Sequence, residues 1–126
     1  MAESAATIEY RQNQVLTASR SQLLLLAYDG ALRFLHLARA HMGARELERQ
    51  HHNIVRAQAI LLELIGSLDP TVDETMAASL RTLYEYLYDR LTHANVNDDN
   101  GALAEVIAHL AHLREAWAQA AAAWKQ

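Results

Sequence analysis

Residues 19–42 read SRSQLLLLAYDGALRFLHLARAHM, and this stretch decides the fold class. It opens with Ser19 and Gln22, the spacing of a capping box, in which each side chain bonds the other residue's backbone amide at a helix start. The apolar residues that follow step by four and three, as on one face of an amphipathic helix. They are Leu24, Tyr28, Ala31, Leu35, Ala38 and Met42. We therefore predict a first helix over residues 20–42, ended by Gly43.

Apolar residues with the same helical period run through the rest of the chain. They predict three further helices, over residues 44–67, 71–95 and 101–124. Thr71 and Glu74 have the capping-box spacing again and are expected to open the third helix. Four helices of about 30 Å with short connections predict an all-α fold, an antiparallel up-down four-helix bundle over residues 19–126. Residues 1–18 lack a sustained period and are expected to form an N-terminal arm.

The composition agrees with a helical domain and excludes several classes of protein. The 126 residues include four glycines and one proline, too few for the many turns of an all-β fold. The absence of cysteine rules out disulfides, cysteine zinc sites and thiol catalysis. The formal net charge is -4 and the arginines are spread along the chain, so we expect no nucleic-acid partner.

The longest strongly apolar run, residues 23–28, is far shorter than the about 20 residues of a membrane span. The first residues also lack the basic and apolar segments of a signal peptide. We therefore expect a cytoplasmic protein without membrane insertion.

The sequence contains no motif that would supply catalytic chemistry. Neither the Gly-x-x-x-x-Gly-Lys loop that binds nucleotide phosphates nor the Gly-x-Ser-x-Gly elbow of serine hydrolases is present. A di-iron bundle needs two Glu-x-x-His motifs, whereas this chain has one, Glu48 with His51. Glu105, His109 and His112 share a helix face, which we interpret as the solvated side of the fourth helix. We expect no enzyme activity, no cofactor and no metal.

The second helix has more apolar surface than one core contact requires. Its apolar residues cover an arc of about 220°, whereas a helix that faces one core needs little more than about 100°. Either this helix contacts two neighbours, or part of its surface forms an exposed groove that receives another helix. Tyr86 of the third helix is expected to point outward, as aromatic anchors for protein partners do. We predict the groove-lining residues to be Ile54, Ile60, Leu61, Leu64 and Tyr86, with Ile60 as the most exposed.

Several blocks of this sequence resemble one family, the flagellin-specific export chaperones (FliS). The arm resembles the family's opening at Tyr10 and at residues 15–18, VLTA. The helices resemble the family in blocks that come in its order at compatible spacing: LAYDGALRFL at 26–35, NIVRAQ at 53–58, SLD at 67–69, LYEY at 83–86 and LREAW at 113–117. Together these blocks extend from about residue 8 to residue 117.

The resemblance implies a four-helix bundle that binds the C-terminal helical segment of newly made flagellin in the cytosol. In that family the chaperone blocks premature polymerisation and helps to deliver flagellin to the cytoplasmic part of the export gate. The family's N-terminal segment is thought to act as a cap, so we expect residues 1–18 to fold over part of the groove with Tyr10 as anchor. The residues alone leave three alternatives: a non-flagellar helical-bundle adaptor, a cofactor-binding bundle and a weakly self-associating homo-oligomer.

Overall fold

The computed structural model describes residues 19–124 of the chain, which form four helices. In chain order they are α1, Arg20–Gly43; α2, Leu47–Gly66; α3, Glu74–Asn97; and α4, Asn100–Trp124. The prediction of an all-α, four-helix fold is confirmed. The predicted arm, residues 1–18 with Tyr10, lies outside the described residues.

The capping box predicted at the start of α1 is confirmed. The Gln22 amide donates to the Ser19 hydroxyl at 3.3 Å, and the Ser19 amide donates to Gln22 Oε1 at 3.0 Å. A side-chain cap of this kind stabilises a helix by about 1 kcal/mol, because it satisfies an amide that has no partner inside the helix. The start of α1 is therefore determined locally.

The capping box predicted at Thr71 and Glu74 is wrong. The Thr71 amide donates to Asp69 Oδ1 at 2.9 Å, so this residue belongs to a turn in which the aspartate bonds the backbone two positions on. The cap of α3 is Asp73, whose Oδ1 accepts from the Met76 amide at 2.9 Å. The third helix consequently begins three residues later than the sequence spacing suggested.

The turn between α1 and α2 is also longer than predicted, because α2 begins at Leu47 rather than at residue 44. Gly43 is the last residue of α1 and not the residue at which the chain reverses. The reversal lies at Arg45, whose φ of 57° is a left-handed conformation that a helix cannot continue. The helical period did not reveal this break, because no glycine marks it.

The four helices pack in a closed ring, in which each helix contacts the one before it, the one after it, and α1 contacts α4. Hydrogen bonds between neighbours join opposite ends of the helices. Gln50 at the start of α2 donates to Asn95 near the end of α3 at 3.4 Å. Arg114 in the second half of α4 donates to Asp29 in the first half of α1 at 2.8 Å. An up-down bundle requires pairs of this kind.

The core consists of the apolar stripes that the sequence predicted, turned toward one another. The largest fully buried side chains come from all four helices: Tyr28, Leu35, Ile54, Leu61, Tyr84, Leu87, Leu91, Leu103, Val106 and Leu110. Complete burial of one leucine contributes about 1.5–3 kcal/mol, so this set supplies most of the driving force for folding. No helix in the described part of the chain has an apolar stretch long enough to cross a membrane.

Candidate functional site: an open apolar end of the bundle

Three of the residues predicted to line a groove on α2 belong to the hydrophobic core. Ile54 and Leu61 are fully buried, and Leu64 is buried except at one edge. Their burial explains part of the wide apolar arc of this helix, because α2 packs against both α1 and α3. In this arrangement Ile54 and Leu61 support the surface from below and offer a partner no accessible side chain.

Ile60 and Tyr86, the other two predicted residues of the described chain, lie on different faces of the bundle. Ile60 is half-buried between α1 and α2, where its Cδ1 lies 3.4 Å from the position that a Cβ on Gly30 would take. Tyr86 is 45% exposed on α3, and its hydroxyl donates to the carboxylate of Glu105 on α4. Tyr86 therefore points outward as predicted, but the structure does not bring it together with Ile60.

The carboxylate of Glu105 is the centre of a small charged network between α3 and α4. It accepts hydrogen bonds from Tyr86 and from Arg90 Nε at 3.1 Å, and these donors hold its pKa below the ordinary range. His109 Nε2 lies 3.8 Å from the same carboxylate. Within residues 19–124, histidine, aspartate and glutamate side chains form no group of three that could hold a metal ion. Glu105 acts here as a link between two helices.

An open apolar surface lies at one end of the bundle, where α1 and α3 begin and α2 and α4 end. Two adjoining clefts of about 480 Å³ and about 260 Å³ open there, and both are lined by Leu24 and Trp117. We call this surface the end cleft. Its main lining residues are Leu24, Leu64, Leu68, Met76, Leu80, Tyr84, Trp117, Ala120 and Ala121.

The end cleft exists because no side chain of residues 19–124 covers the last layer of the core. After Trp117, helix α4 continues with a run of alanines, and Ala120 and Ala121 are too short to fill the space beside Leu24. On the other side, α2 ends at Gly66, and α3 begins only at Glu74. The described residues therefore leave open an apolar surface that would be core one layer deeper.

A hydrogen-bonded group of three aromatic residues forms the floor of the end cleft. Trp117 Nε1 donates to the Tyr28 hydroxyl at 3.1 Å, and this hydroxyl lies 2.6 Å from the hydroxyl of Tyr84. Both tyrosines are buried, and burial raises the pKa of each phenol above its ordinary value. The phenols therefore stay protonated at neutral pH, and they connect α1, α3 and α4 beneath the cleft.

The rim of the end cleft carries apolar side chains that are mostly in solvent. Met76 in the first turn of α3 is 51% exposed, and Val72 in the preceding connection is more exposed still. Both line the smaller of the two clefts. A concave apolar surface with an apolar rim is typical of a site that receives a partner, because a monomer gains nothing from exposing it.

The helical periodicity places most of the cleft residues on the core stripes and does not distinguish them as a site. Of the predicted groove residues only Leu64 lines the end cleft. Two signals in the sequence could have indicated it. Leu24 and Trp117 fall near the ends of their helices, and Trp117 is followed by small residues that cannot complete a core layer.

Comparison with known proteins agrees with the motif blocks. The family model described as flagellar protein FliS matches residues 1–124. The flagellar secretion chaperone FliS of Bacillus subtilis is 39% identical over 111 residues, which are 88% of this chain and 82% of that protein. The FliS chaperone of Campylobacter jejuni is 32% identical over 93% of this chain and 91% of its own length. That of Escherichia coli K12 is 30% identical over 84% of this chain and 79% of its own length.

The family model covers nearly the whole chain. The similar proteins share the name FliS, and the alignments cover most of their length. The resemblance inferred from the motif blocks is confirmed: this four-helix protein belongs to the FliS family, whose members named here are flagellar secretion chaperones.

Proposed function

We propose that this protein binds the C-terminal helical segment of flagellin in the cytoplasm, prevents its premature polymerisation and assists its export. The observation that carries the proposal is the end cleft, an open apolar surface with an exposed apolar rim, in a member of a family of flagellar secretion chaperones. A chaperone that acts by covering the apolar surface of its partner makes and breaks no covalent bond, so it needs no catalytic group.

The physical basis of the proposal is the exchange of one apolar contact for another. An amphipathic segment that awaits its neighbours in a filament exposes an apolar stripe, and such stripes associate with one another in water. Covering the stripe with Leu24, Leu80 and Trp117 removes apolar area from water at about 25 cal/mol per Å². Part of this gain offsets the ordering of a segment that folds on binding. The chaperone thus supplies substitute packing.

Release of the segment then requires a competing partner, because no nucleotide site in the sequence could drive it. We propose that the cytoplasmic part of the export gate is that partner. Among the groove residues predicted from the sequence, Ile60 and Tyr86 enter the proposal as accessible contacts and Leu64 as a wall of the end cleft. Ile54 and Leu61 enter it as the core that holds α2 in place.

The N-terminal arm is the proposed competitor for the cleft in the free protein. Residues 1–18 join the bundle at Ser19, and Ser19, Arg20 and Ser21 themselves line the larger cleft. A segment tethered at the mouth has a high effective concentration there, in about the millimolar range. We propose that the arm covers part of the cleft, with Tyr10 as its anchor, and that flagellin displaces it.

Two measurements test these proposals. Titration calorimetry of the full chain with a purified flagellin C-terminal fragment should detect saturable one-to-one binding, and the chaperone should delay seeded flagellin polymerisation. Absence of both effects would contradict flagellin binding. Light scattering of the protein alone distinguishes the alternative of a self-associating bundle, in which a homodimer would occupy the apolar surface.

The arm is tested separately by deletion of residues 1–14. Removal of a cap should tighten or accelerate binding of the flagellin fragment and should increase self-association of the free protein. Unchanged binding and unchanged solubility would mean that the arm does not cover the cleft, and the proposal would then rest on flagellin binding at the end cleft alone.

A further inference from the structure

The charges of this protein are divided unequally between its two helix pairs. Residues 19–66, which contain α1 and α2, carry six arginines against four carboxylates, and also four of the seven histidines. Residues 67–124, which contain α3 and α4, carry three arginines against nine carboxylates. The net charge of -4 for the whole chain therefore conceals a basic half and an acidic half.

The basic half presents two arginines over one aromatic ring. The guanidinium carbon of Arg33 on α1 lies 5.0 Å from the ring centre of Phe34, and that of Arg56 on α2 lies 5.8 Å from it. Contact with an aromatic face holds a guanidinium group in position and leaves its N–H donors free to bond. Phe34 itself is half-buried against the core, so the ring is a fixed base for both cations.

These two cations have no carboxylate partner within the described residues. The ion pairs of residues 19–124 involve Arg49, Arg81, Arg90 and Arg114, but neither Arg33 nor Arg56. Because both lie near the same ring, their charges are at most about 11 Å apart, a distance comparable to the Debye length of about 8–10 Å at 0.1–0.15 M salt. They therefore repel each other, and a bound anion between them would remove that repulsion.

Apolar surface surrounds the two cations on both helices. Leu26 and Leu37 are exposed on α1, four residues or more on either side of Arg33 and on the same side of the helix. Between them Gly30 contributes no side chain, and Ile60 of α2 packs beside it. We call this surface the basic face. It consists of Leu26, Gly30, Arg33, Phe34, Leu37, Arg56 and Ile60.

We propose that the basic face docks a helical segment of a partner protein that presents carboxylates beside apolar side chains. The carboxylates accept hydrogen bonds from the Arg33 and Arg56 guanidinium groups, whose planar forks suit two-point contact. The leucines of the partner cover Leu26 and Leu37, which lie about 16 Å apart along α1, the length of three helical turns. This surface lies between α1 and α2 and shares only Ile60 with the contacts proposed for flagellin, so it does not depend on flagellin as the occupant of the end cleft.

The charge of the two halves also decides against a second copy of this chain as the occupant. The acidic half of another molecule would be complementary, but a contact between two different faces forms either a closed ring or an open chain of molecules, never a simple symmetric dimer. Two whole molecules, each with a net charge of -4, repel each other. A separate acidic, amphipathic partner avoids both difficulties.

The probe for this proposal is a pair of synthetic amphipathic peptides of about 18 residues, about 27 Å of helix. One peptide has leucines along one face and two glutamates four residues apart beside them; the other has glutamines at the two glutamate positions. Fluorescence anisotropy with the full chain should give binding of the glutamate peptide at least about tenfold tighter than the glutamine peptide. This preference should diminish at high salt.

The variant that tests the site is the double charge reversal Arg33→Glu with Arg56→Glu, both at exposed positions. Its matched control is Arg39→Glu, also exposed on α1 and likewise without an ion pair among the described residues, but about 120° around the helix from Arg33. The double variant should lose the preference for glutamate and should prefer a lysine version of the peptide. The control should bind as the unmodified chain does.

Three outcomes would overturn the proposal. Equal binding of the glutamate and glutamine peptides would mean that Arg33 and Arg56 do not bind the carboxylates of the peptide. An equal loss of the glutamate preference in Arg39→Glu would mean that the net charge of the protein, and not the basic face, causes the preference. A change of oligomeric state in the double variant, measured by light scattering, would assign the face to self-association. If the double variant fails to fold by circular dichroism, Arg33→Lys with Arg56→Lys replaces it, with a smaller loss of the same preference expected.

Discussion

The two ends of the bundle are built in opposite ways. At the end where α1 and α3 begin, apolar side chains line the end cleft and no side chain of residues 19–124 covers them. At the other end, where α2 begins and α3 ends, polar side chains bond one another. Gln50, only 1% exposed, donates to Asp98 Oδ1 at 2.9 Å and to Asn95 at 3.4 Å. We call this second region the polar end.

The polar end also contains tight turns that fix the helix ends. Asp98 adopts a left-handed conformation with φ of 50° and closes α3. The next residue, Asp99, accepts a hydrogen bond from the Ala102 amide at 3.1 Å at the start of α4. Asn95 is held by a further contact of 2.8 Å with His51.

From this difference we expect the polar end to contribute mainly to stability and the open end mainly to the proposed binding. At the polar end, the Gln50 amide nitrogen and the side chains of Asn95, Asp98 and Asp99 form hydrogen bonds within the chain, so these bonds fix the helices relative to one another. The open end has apolar surface without a partner in the described residues, and its contacts can be exchanged. A change at the polar end should therefore alter folding, whereas a change at the rim of the open end should alter binding.

The largest effect is expected from Gln50→Ala at the polar end. Removal of a buried side chain leaves a cavity, and the acceptors on Asn95 and Asp98 lose their donor, which together should lower the free energy of unfolding by about 2–3 kcal/mol. Urea denaturation followed by circular dichroism measures the change. Gln50→Met, which keeps the volume and removes the orphaned Gln50 Oε1, should destabilise the protein less. Equal losses in the two variants would mean that cavity formation is unimportant here.

The next effect is expected from the aromatic floor of the end cleft. Tyr28→Phe leaves the Trp117 N–H and the Tyr84 hydroxyl without their common partner, which should reduce the free energy of unfolding by about 1–2 kcal/mol. Tyr84→Phe retains the Trp117 bond to Tyr28 and should cost less than about 1 kcal/mol. Thermal and urea unfolding compare the two variants. A reversed order would show that Tyr84, and not Tyr28, is the centre of the group.

A binding effect is expected from the rim of the open end, with a control at the polar end. Met76→Asp places a charge at the smaller cleft and should weaken binding of a flagellin C-terminal fragment about tenfold, or about 1.4 kcal/mol. Val96→Asp makes the same chemical change near the other end of α3, at a side chain that is 76% exposed. This control should leave binding unchanged. Equal weakening by both substitutions would contradict the assignment of binding to the open end.

The smallest effect concerns acid pH at the polar end. The pKa of Asp99 is lowered, first by the hydrogen bond from the Ala102 amide and then by that from His93. Because the folded pKa lies below the unfolded value of about 3.9, the carboxylate stabilises the fold above about pH 4 and loses that contribution as pH falls through the folded pKa. Asp99→Asn keeps an acceptor for the cap but does not titrate. Its deficit in melting temperature should be constant near neutral pH, should shrink as pH falls below about 4 and should vanish below the folded pKa; a deficit that stays unchanged in acid would contradict this role of the charge.

Much of the fold was predictable because helices are determined by short-range spacing. The stripe from Leu24 to Met42 and the capping box at Ser19 involve residues no more than four positions apart, and both are present in the structure. The errors lie where two local arrangements compete. Thr71 has the spacing of a cap, yet Asp69 binds its amide first, and the reversal at Arg45 has no glycine to mark it.

The motif blocks predicted the family and the local periodicity predicted the four helices, because both depend on residue types at short, regular intervals. The binding surface could not be derived in the same way. A helical stripe indicates that a side chain avoids water but not which neighbour covers it, so Leu61 and Leu24 look alike in sequence. Only the packing of the four helices brings Leu24 and Trp117 together in the end cleft, places Ile60 and Tyr86 on different faces, and brings Arg33 and Arg56 from two helices to one ring.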